Sequence, residues 1–217
     1  MKKISVMLFF ILAGILVIAD TACTNDDAND TKAATVVSKD TKMDSQPEEL
    51  AINGAIEKVN ASGISVFKVE TVINNGNGKV PDFKFKVGSE TMSFSELVKG
   101  KVVFLNFWGT WCPPCRKEIP DIIQIANDLK DRDFIVIGIA LERNPQSAVE
   151  TVASYSKSKG LNYINFVDLQ QGVAQAFGGI NAVPTTYIID KDMNIAQVYQ
   201  GAASKEVFMN LINQVLK

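Results

Sequence analysis

The sequence predicts an α/β fold in which a central mixed sheet carries helices on both faces, and three observations point to it. First, Val102–Trp108 and Phe134–Ala140 are continuous apolar runs of strand length, the pattern of strands buried on both faces. Second, the stretch between them is long enough for a helix, so the two strands form a βαβ unit with a parallel pair. Third, Thr185–Asp190 and Ile195–Gln200 flank the turn Lys191-Asp192-Met193-Asn194 and read as an antiparallel hairpin, which makes the sheet mixed. A chain of 217 residues with 47% hydrophobic content can bury one sizeable core and a small appendage.

The N-terminus is a leader. Met1-Lys2-Lys3 followed by the apolar run from Ile4 to Ala19 is the charged region and hydrophobic region of an export signal. At about 1.5 Å per residue the run reaches roughly 24 Å, short of a hydrocarbon core of roughly 30 Å, which favours cleavage over a spanning anchor. Asp20-Thr21-Ala22-Cys23 resembles a bacterial lipobox, with Cys23 the residue to be acylated. It departs from that pattern at Asp20, where Leu or a similar residue is usual, so a lipid tether and an uncleaved signal anchor are both open. Residues 1–23 are taken as leader.

Residues 24–49 hold seven acids, three lysines and almost no large apolar side chains, and read as a disordered tether. Over 48–60, Leu50, Ile52, Ile56 and Val59 recur at helical spacing, and 64–72 alternates as a strand does. Asn74-Asn75-Gly76-Asn77-Gly78 ends the unit with a turn signal. Residues 50–78 are therefore read as a small helix-plus-strand appendage, and 79–217 as the main domain.

Within that domain, 83–87 and 90–94 alternate around Gly88-Ser89 as a hairpin, and a short helix over 95–99 stops at Gly100. After Val102–Trp108 a helix is expected over 112–130, then the strand Phe134–Ala140. A second helix is expected over 145–159, a strand over 163–167 and a short helix over 170–177. The C-terminal hairpin is followed by a helix from Ser204, a good N-cap, to Leu216.

Composition excludes several kinds of chemistry. The chain has no histidine, which removes Ser-His-Asp and Cys-His catalysis and every His-ligated metal or haem. With 24 acids against 22 bases, the basic surface that nucleic acid requires is not indicated. What remains is thiol chemistry. Trp111-Cys112-Pro113-Pro114-Cys115 follows the first buried strand directly, so two thiols sit where a strand ends and a helix starts. A helix N-terminus has unpaired N–H groups and partial positive charge, both of which favour thiolate. Two intervening residues leave the second sulfur one turn away, able to attack a mixed disulfide formed by the first.

The competing readings of the pair fit poorly. Structural zinc needs about four Cys or His ligands, and the only other cysteine is Cys23. A static disulfide would close too small a loop to restrain the unfolded chain much. Cys112 is therefore expected to be the exposed, attacking sulfur and Cys115 the buried, resolving one. Pro113 and Pro114 suit a first helical turn, whereas Pro120 interrupts the helix ladder and predicts a kink. Glu118, three residues after Cys115, lies near it on one helix face, and from spacing alone a solvated glutamate is the better reading. Trp108 reads as core, Trp111 as the apolar rim of the site and Glu142 as a loop carboxylate.

The segment from Val103 to Pro120, and more loosely the chain from about Val80 to its end with Val183-Pro184-Thr185-Thr186, resembles the TlpA/ResA-like branch of the thioredoxin superfamily. The resemblance implies a thioredoxin-like fold carrying that branch's insertion between the two parallel strands and the C-terminal hairpin. It implies a cis Val183-Pro184 bond facing the dithiol and leaving the Val183 backbone free to pair with an extended substrate. It also implies that Glu118 tunes the cysteine pair, and that Asn106 stands where minimal thioredoxins place a buried Asp.

The expected function is an exported, membrane-tethered thiol-disulfide oxidoreductase that reduces disulfides in partner proteins. It needs no cofactor beyond its Cys112–Cys115 couple and no metal. Its expected partners are disulfide-containing exported proteins, including apocytochrome c before haem attachment, and a membrane electron donor. A disulfide-forming oxidase and a Cu(I) carrier share the same cysteines and stay open. A peroxiredoxin-like peroxidase does not, because its Pro-x-x-x-Thr-x-x-Cys pattern is absent.

Overall fold

A computed structural model describes residues 55, 57–60, 65–73 and 79–217. The leader, Cys23, the tether over 24–49 and most of the helix expected over 48–60 lie outside the described residues; Ala55 and residues 57–60 are helical.

The strands are β1 (Val66–Lys68), β2 (Thr71–Ile73), β3 (Asp82–Val87), β4 (Glu90–Ser93), β5 (Val102–Trp108), β6 (Phe134–Ala140), β7 (Ile164–Val167), β8 (Thr185–Ile189) and β9 (Ile195–Gln200). The helices are α1 (Phe94–Leu97), α2 (Pro113–Asp128), α3 (Ala148–Lys159), α4 (Gly172–Ala176) and α5 (Lys205–Val215). Six strands form the main sheet in the order β1-β7-β6-β5-β8-β9. The first four run parallel, and β8 and β9 are antiparallel; the β5–β6 parallel pair and the β8–β9 hairpin are those that the sequence pattern predicts.

β5 lies inside this sheet, and all seven of its residues are buried. Strand alternation divides them between two cores. Val103, Leu105 and Phe107 face one core, while Val102, Phe104 and Trp108 face the other together with Ile119 and Ile122 of α2. By the same period of two, Asn106 falls on the face that meets α2. That register brings a buried amide next to the dithiol helix.

The segment over 50–78 departs from its reading as an appendage. β1 pairs in parallel with β7, so Val66 lies opposite Asn165 and forms an edge of the main sheet. β2 joins β3 and β4 in a second, three-stranded sheet. The expected strand over 64–72 is thus two strands of three residues each, serving different sheets. β1 meets a partner about a hundred positions away and β2 meets the nearby β3, and strands this short carry no pattern that names either. Phe67 locks the arrangement, with ring centroids 5.4 Å from Phe85 and 6.0 Å from Phe166.

Helix starts show local rules competing with tertiary ones. α1 begins at Phe94 because Ser93 and Glu96 form a reciprocal capping box. α3 begins at Ala148, three residues later than Pro145, with a turn preceding it. Ser204 is the N-cap residue of α5 as expected, yet its side chain makes no cap bond. Asp121 of α2 supplies the acceptor instead, taking the Lys205 N–H at 3.0 Å, and Lys205 Nζ lies 2.6 Å from Asp128. α5 is thereby fixed against the dithiol helix.

Candidate active site

The site forms where β5 hands over to α2. Cys112 is the N-cap of α2, with Pro113 and Pro114 in the first turn, where the missing N–H groups leave no intrahelical bond unmade. Cys112 and Cys115 are joined in a disulfide, and Cys112 Sγ also accepts the Cys115 N–H at 3.2 Å. Cys115 is fully buried, as expected. Cys112 is only 2% exposed, which corrects the expectation of an open sulfur. The Val183 carbonyl oxygen lies 3.5 Å from its Sγ and the side chain turns inward to bond the helix, so the attacking position is covered in this oxidised form.

Behind the disulfide lies Glu118, 2% exposed, although from spacing alone a solvated glutamate is the better expectation. Its Oε1 accepts the Asn106 amide N–H at 3.0 Å, and its Oε2 accepts the Ala203 N–H at 3.4 Å. Asn106 also donates to Thr186 Oγ1 at 3.0 Å, so the strand that follows Pro184 helps to aim the amide. Burial raises the Glu118 pKa from 4.5 to about 7, outweighing the two hydrogen bonds that oppose it, with a small further push from Asp121. A carboxyl poised near neutrality, one helical turn from a thiol, can accept or return a proton there.

The Val183–Pro184 bond is cis, as the sequence resemblance implies. Val183 lies outside β8, whose pairing starts at Thr185, and its N–H and C=O make no backbone hydrogen bond among the described residues. The Val183 N–H is therefore open to an incoming chain, while its C=O faces Cys112 Sγ.

The outer flank of the dithiol is held by three residues after β6. The Leu141 N–H donates to the Trp108 carbonyl at 2.8 Å, and the Leu141 carbonyl accepts Trp111 Nε1–H at 2.8 Å. Glu142 takes the Thr110 N–H at 2.7 Å on one oxygen and the Thr110 hydroxyl at 2.9 Å on the other. The Arg143 guanidinium lies 4.0 Å from the Trp111 ring centroid. Gly109 is required here, since a Cβ would stand 2.6 Å from Trp111 Nε1. Trp108 is core, as expected, and donates Nε1–H to Asn165 Oδ1 at 3.1 Å in space left by Gly138.

Cys112, Cys115, Glu118, Trp111, Val183 and Pro184 thus converge on one place, while Cys23 lies outside the described residues. Sequence reasoning left out the Glu142 bracket and Arg143. The only available signal was their position at the C-terminal end of a parallel strand, where α/β folds gather their sites. Among the described residues no cluster of Cys, Asp and Glu is built to hold a metal ion.

Residues 77–198 match the family model described as AhpC/TSA family. The chain is 30% identical over 152 residues to the thiol-disulfide oxidoreductase ResA of Bacillus subtilis, covering 68% of this chain and 81% of that relative. It is 33% identical over 126 residues to the ResA of Halalkalibacterium halodurans, covering 57% and 68%. Among solved structures, a thiol:disulfide interchange protein of the thioredoxin family from Chlorobium tepidum superposes with a TM-score of 0.56 at 33% identity, over 64% of this chain and 96% of that one.

Proposed function

We propose that this chain, which belongs to the AhpC/TSA family and within it to the ResA-like thiol-disulfide oxidoreductases, works outside the cytoplasm as a tethered reductase of protein disulfides. The observation that carries the direction is the spacer between the cysteines, Pro113-Pro114, which is uncharged. A strong oxidant needs a thiolate held far below neutrality. Pro113 and Pro114 add no charge to stabilise one.

The reaction balances over two exchanges. The Cys112 thiolate attacks one sulfur of a client disulfide, a mixed disulfide forms, and the first client thiolate leaves. Glu118 accepts the Cys115 proton, and the Cys115 thiolate attacks Cys112 Sγ and expels the second client thiolate. Two electrons have then passed to the client, and the protein carries the Cys112–Cys115 disulfide. A membrane dithiol donor must reduce it again. Val183 pairs with the client backbone as an added strand beside Cys112, and Trp111 forms the rim. Apocytochrome c is the client class that the sequence resemblance favours.

Tethering rests on the leader and Cys23. Cys23→Ser should release the protein from membranes or block its processing; retention with an intact leader would make it a signal anchor. No helix among the described residues is long and apolar enough to cross a membrane.

The test of function is Cys115→Ser in the full chain. Without the resolving thiol, Cys112 should accumulate as covalent adducts with exported CxxC proteins, and the wild-type couple should equilibrate nearer thioredoxin at about −270 mV than DsbA at about −120 mV. A potential near the DsbA value would make the protein an oxidase. Absence of adducts together with tight Cu(I) binding and no disulfide turnover would make it a metal carrier.

A further inference from the structure

We propose that the groove between the Trp111–Arg143 pair and the Ile180–Val183 loop is a specificity subsite, and that it selects client segments with an acidic side chain flanking the half-cystine. The inference rests on the reading of this protein as a reductase of protein disulfides and goes beyond it by naming what the site reads.

The groove has a volume of about 430 Å³ and is lined by Trp111, Arg143, Leu169, Gln171, Ile180 and Val183, among others. It adjoins the dithiol through Val183, which is both its wall and the residue whose carbonyl lies 3.5 Å from Cys112 Sγ. A polypeptide extended along Val183 would send alternate side chains toward this groove. Only a chain presenting its disulfide to Cys112 would occupy both places at once.

The groove wall is rigid and carries charge. Trp111 is 38% exposed, yet its indole N–H is tied to the Leu141 carbonyl and its loop is tied to Glu142. Arg143 lies over the indole face, a placement that leaves the in-plane N–H donors of a guanidinium for a planar acceptor. The neighbouring Glu142 carboxylate, which also lines the groove, is engaged by Thr110 and is not within ion-pair distance of Arg143. Among the described residues no carboxylate forms an ion pair with Arg143. A client carboxylate matches this unmatched cation, while Leu169 and Ile180 suit an apolar neighbour.

The experiment uses the reduced full chain and three disulfide-bridged CxxC peptides that differ only at the flanking residue, which is Asp, Asn or Lys. The wild type should reduce the Asp peptide about fivefold faster in kcat/KM than the Lys peptide, the range of an exposed ion pair, and high salt should shrink that ratio. Arg143→Gln should bring the ratio close to one, Arg143→Glu should invert it, and Arg143→Lys should keep its sign. Equal rates on all three peptides in the wild type, or a ratio untouched by Arg143→Glu, would overturn the subsite while leaving the reductase standing. If no peptide is reduced although a small aromatic disulfide is, the protein-reductase reading fails and the subsite with it.

Discussion

Two glutamates flank the dithiol, and they differ in what surrounds them. Each accepts hydrogen bonds from neutral donors on both carboxylate oxygens: Glu118 from Asn106 and Ala203, Glu142 from the N–H and hydroxyl of Thr110. Glu118 is buried behind Cys115, whereas Glu142 is half-exposed beside Cys112. With solvent excluded, two hydrogen bonds do not hold the Glu118 charge, and its pKa rises to about 7. The same set of bonds near water makes Glu142 a clamp on the loop. Burial, more than partner count, separates the carboxyl raised toward neutrality from the bracket.

The largest expected effect is on stability. Between 4.5 and about 7 the folded protein holds a proton on Glu118 that the unfolded chain has lost, so stability falls as pH rises through that window. The loss should total about 3 kcal/mol and be complete above the folded value. Glu118→Gln should flatten that slope in denaturant titrations of the oxidised protein, and Glu142→Gln should leave it in place. A slope unchanged in Glu118→Gln would break the contrast between the two acids.

Next comes turnover. Glu118→Gln should slow resolution of a mixed disulfide by on the order of a hundredfold at neutral pH, the scale of lost general base catalysis. The rate of adduct decay in stopped flow checks it. Glu142→Gln, which keeps the bracket's shape and one acceptor, should not impose a new pH dependence on that step.

Smaller again is the bracket itself. Glu142→Ala leaves the Thr110 N–H and hydroxyl without their acceptor and should cost about 1–2 kcal/mol, with more mobile Trp111 fluorescence. Smallest should be Asn106→Ala. It removes one of the two bonds that favour the Glu118 carboxylate and should move that group's titration slightly upward. A downward move would show that Asn106 does not support the charge.

Much of this was legible in the chain. The apolar runs of β5 and β6, the hairpin of β8 and β9, and the cysteines between a strand and a helix follow from local pattern, and the structure keeps them. Resemblance to a family added the roles of Glu118 and Val183-Pro184, which spacing alone left open. β1 was not legible as a sheet member, because three residues cannot announce a partner about a hundred positions away, and β2 was hidden because one alternating run serves two different sheets. The cover over Cys112 depends on Val183 approaching from 71 residues downstream, and the Glu142 bracket on a loop meeting another across two strand ends. Such contacts are properties of the assembled sheet and leave no periodic trace.

Glu118 should change charge close to neutral pH, and infrared difference spectroscopy of the oxidised protein reads that change without relying on activity. A protonated-carboxyl band should disappear with a midpoint near 7 in the wild type and in Glu142→Gln, and should be missing from Glu118→Gln. A band lost near the ordinary 4.5, or one that persists in Glu118→Gln, would contradict it.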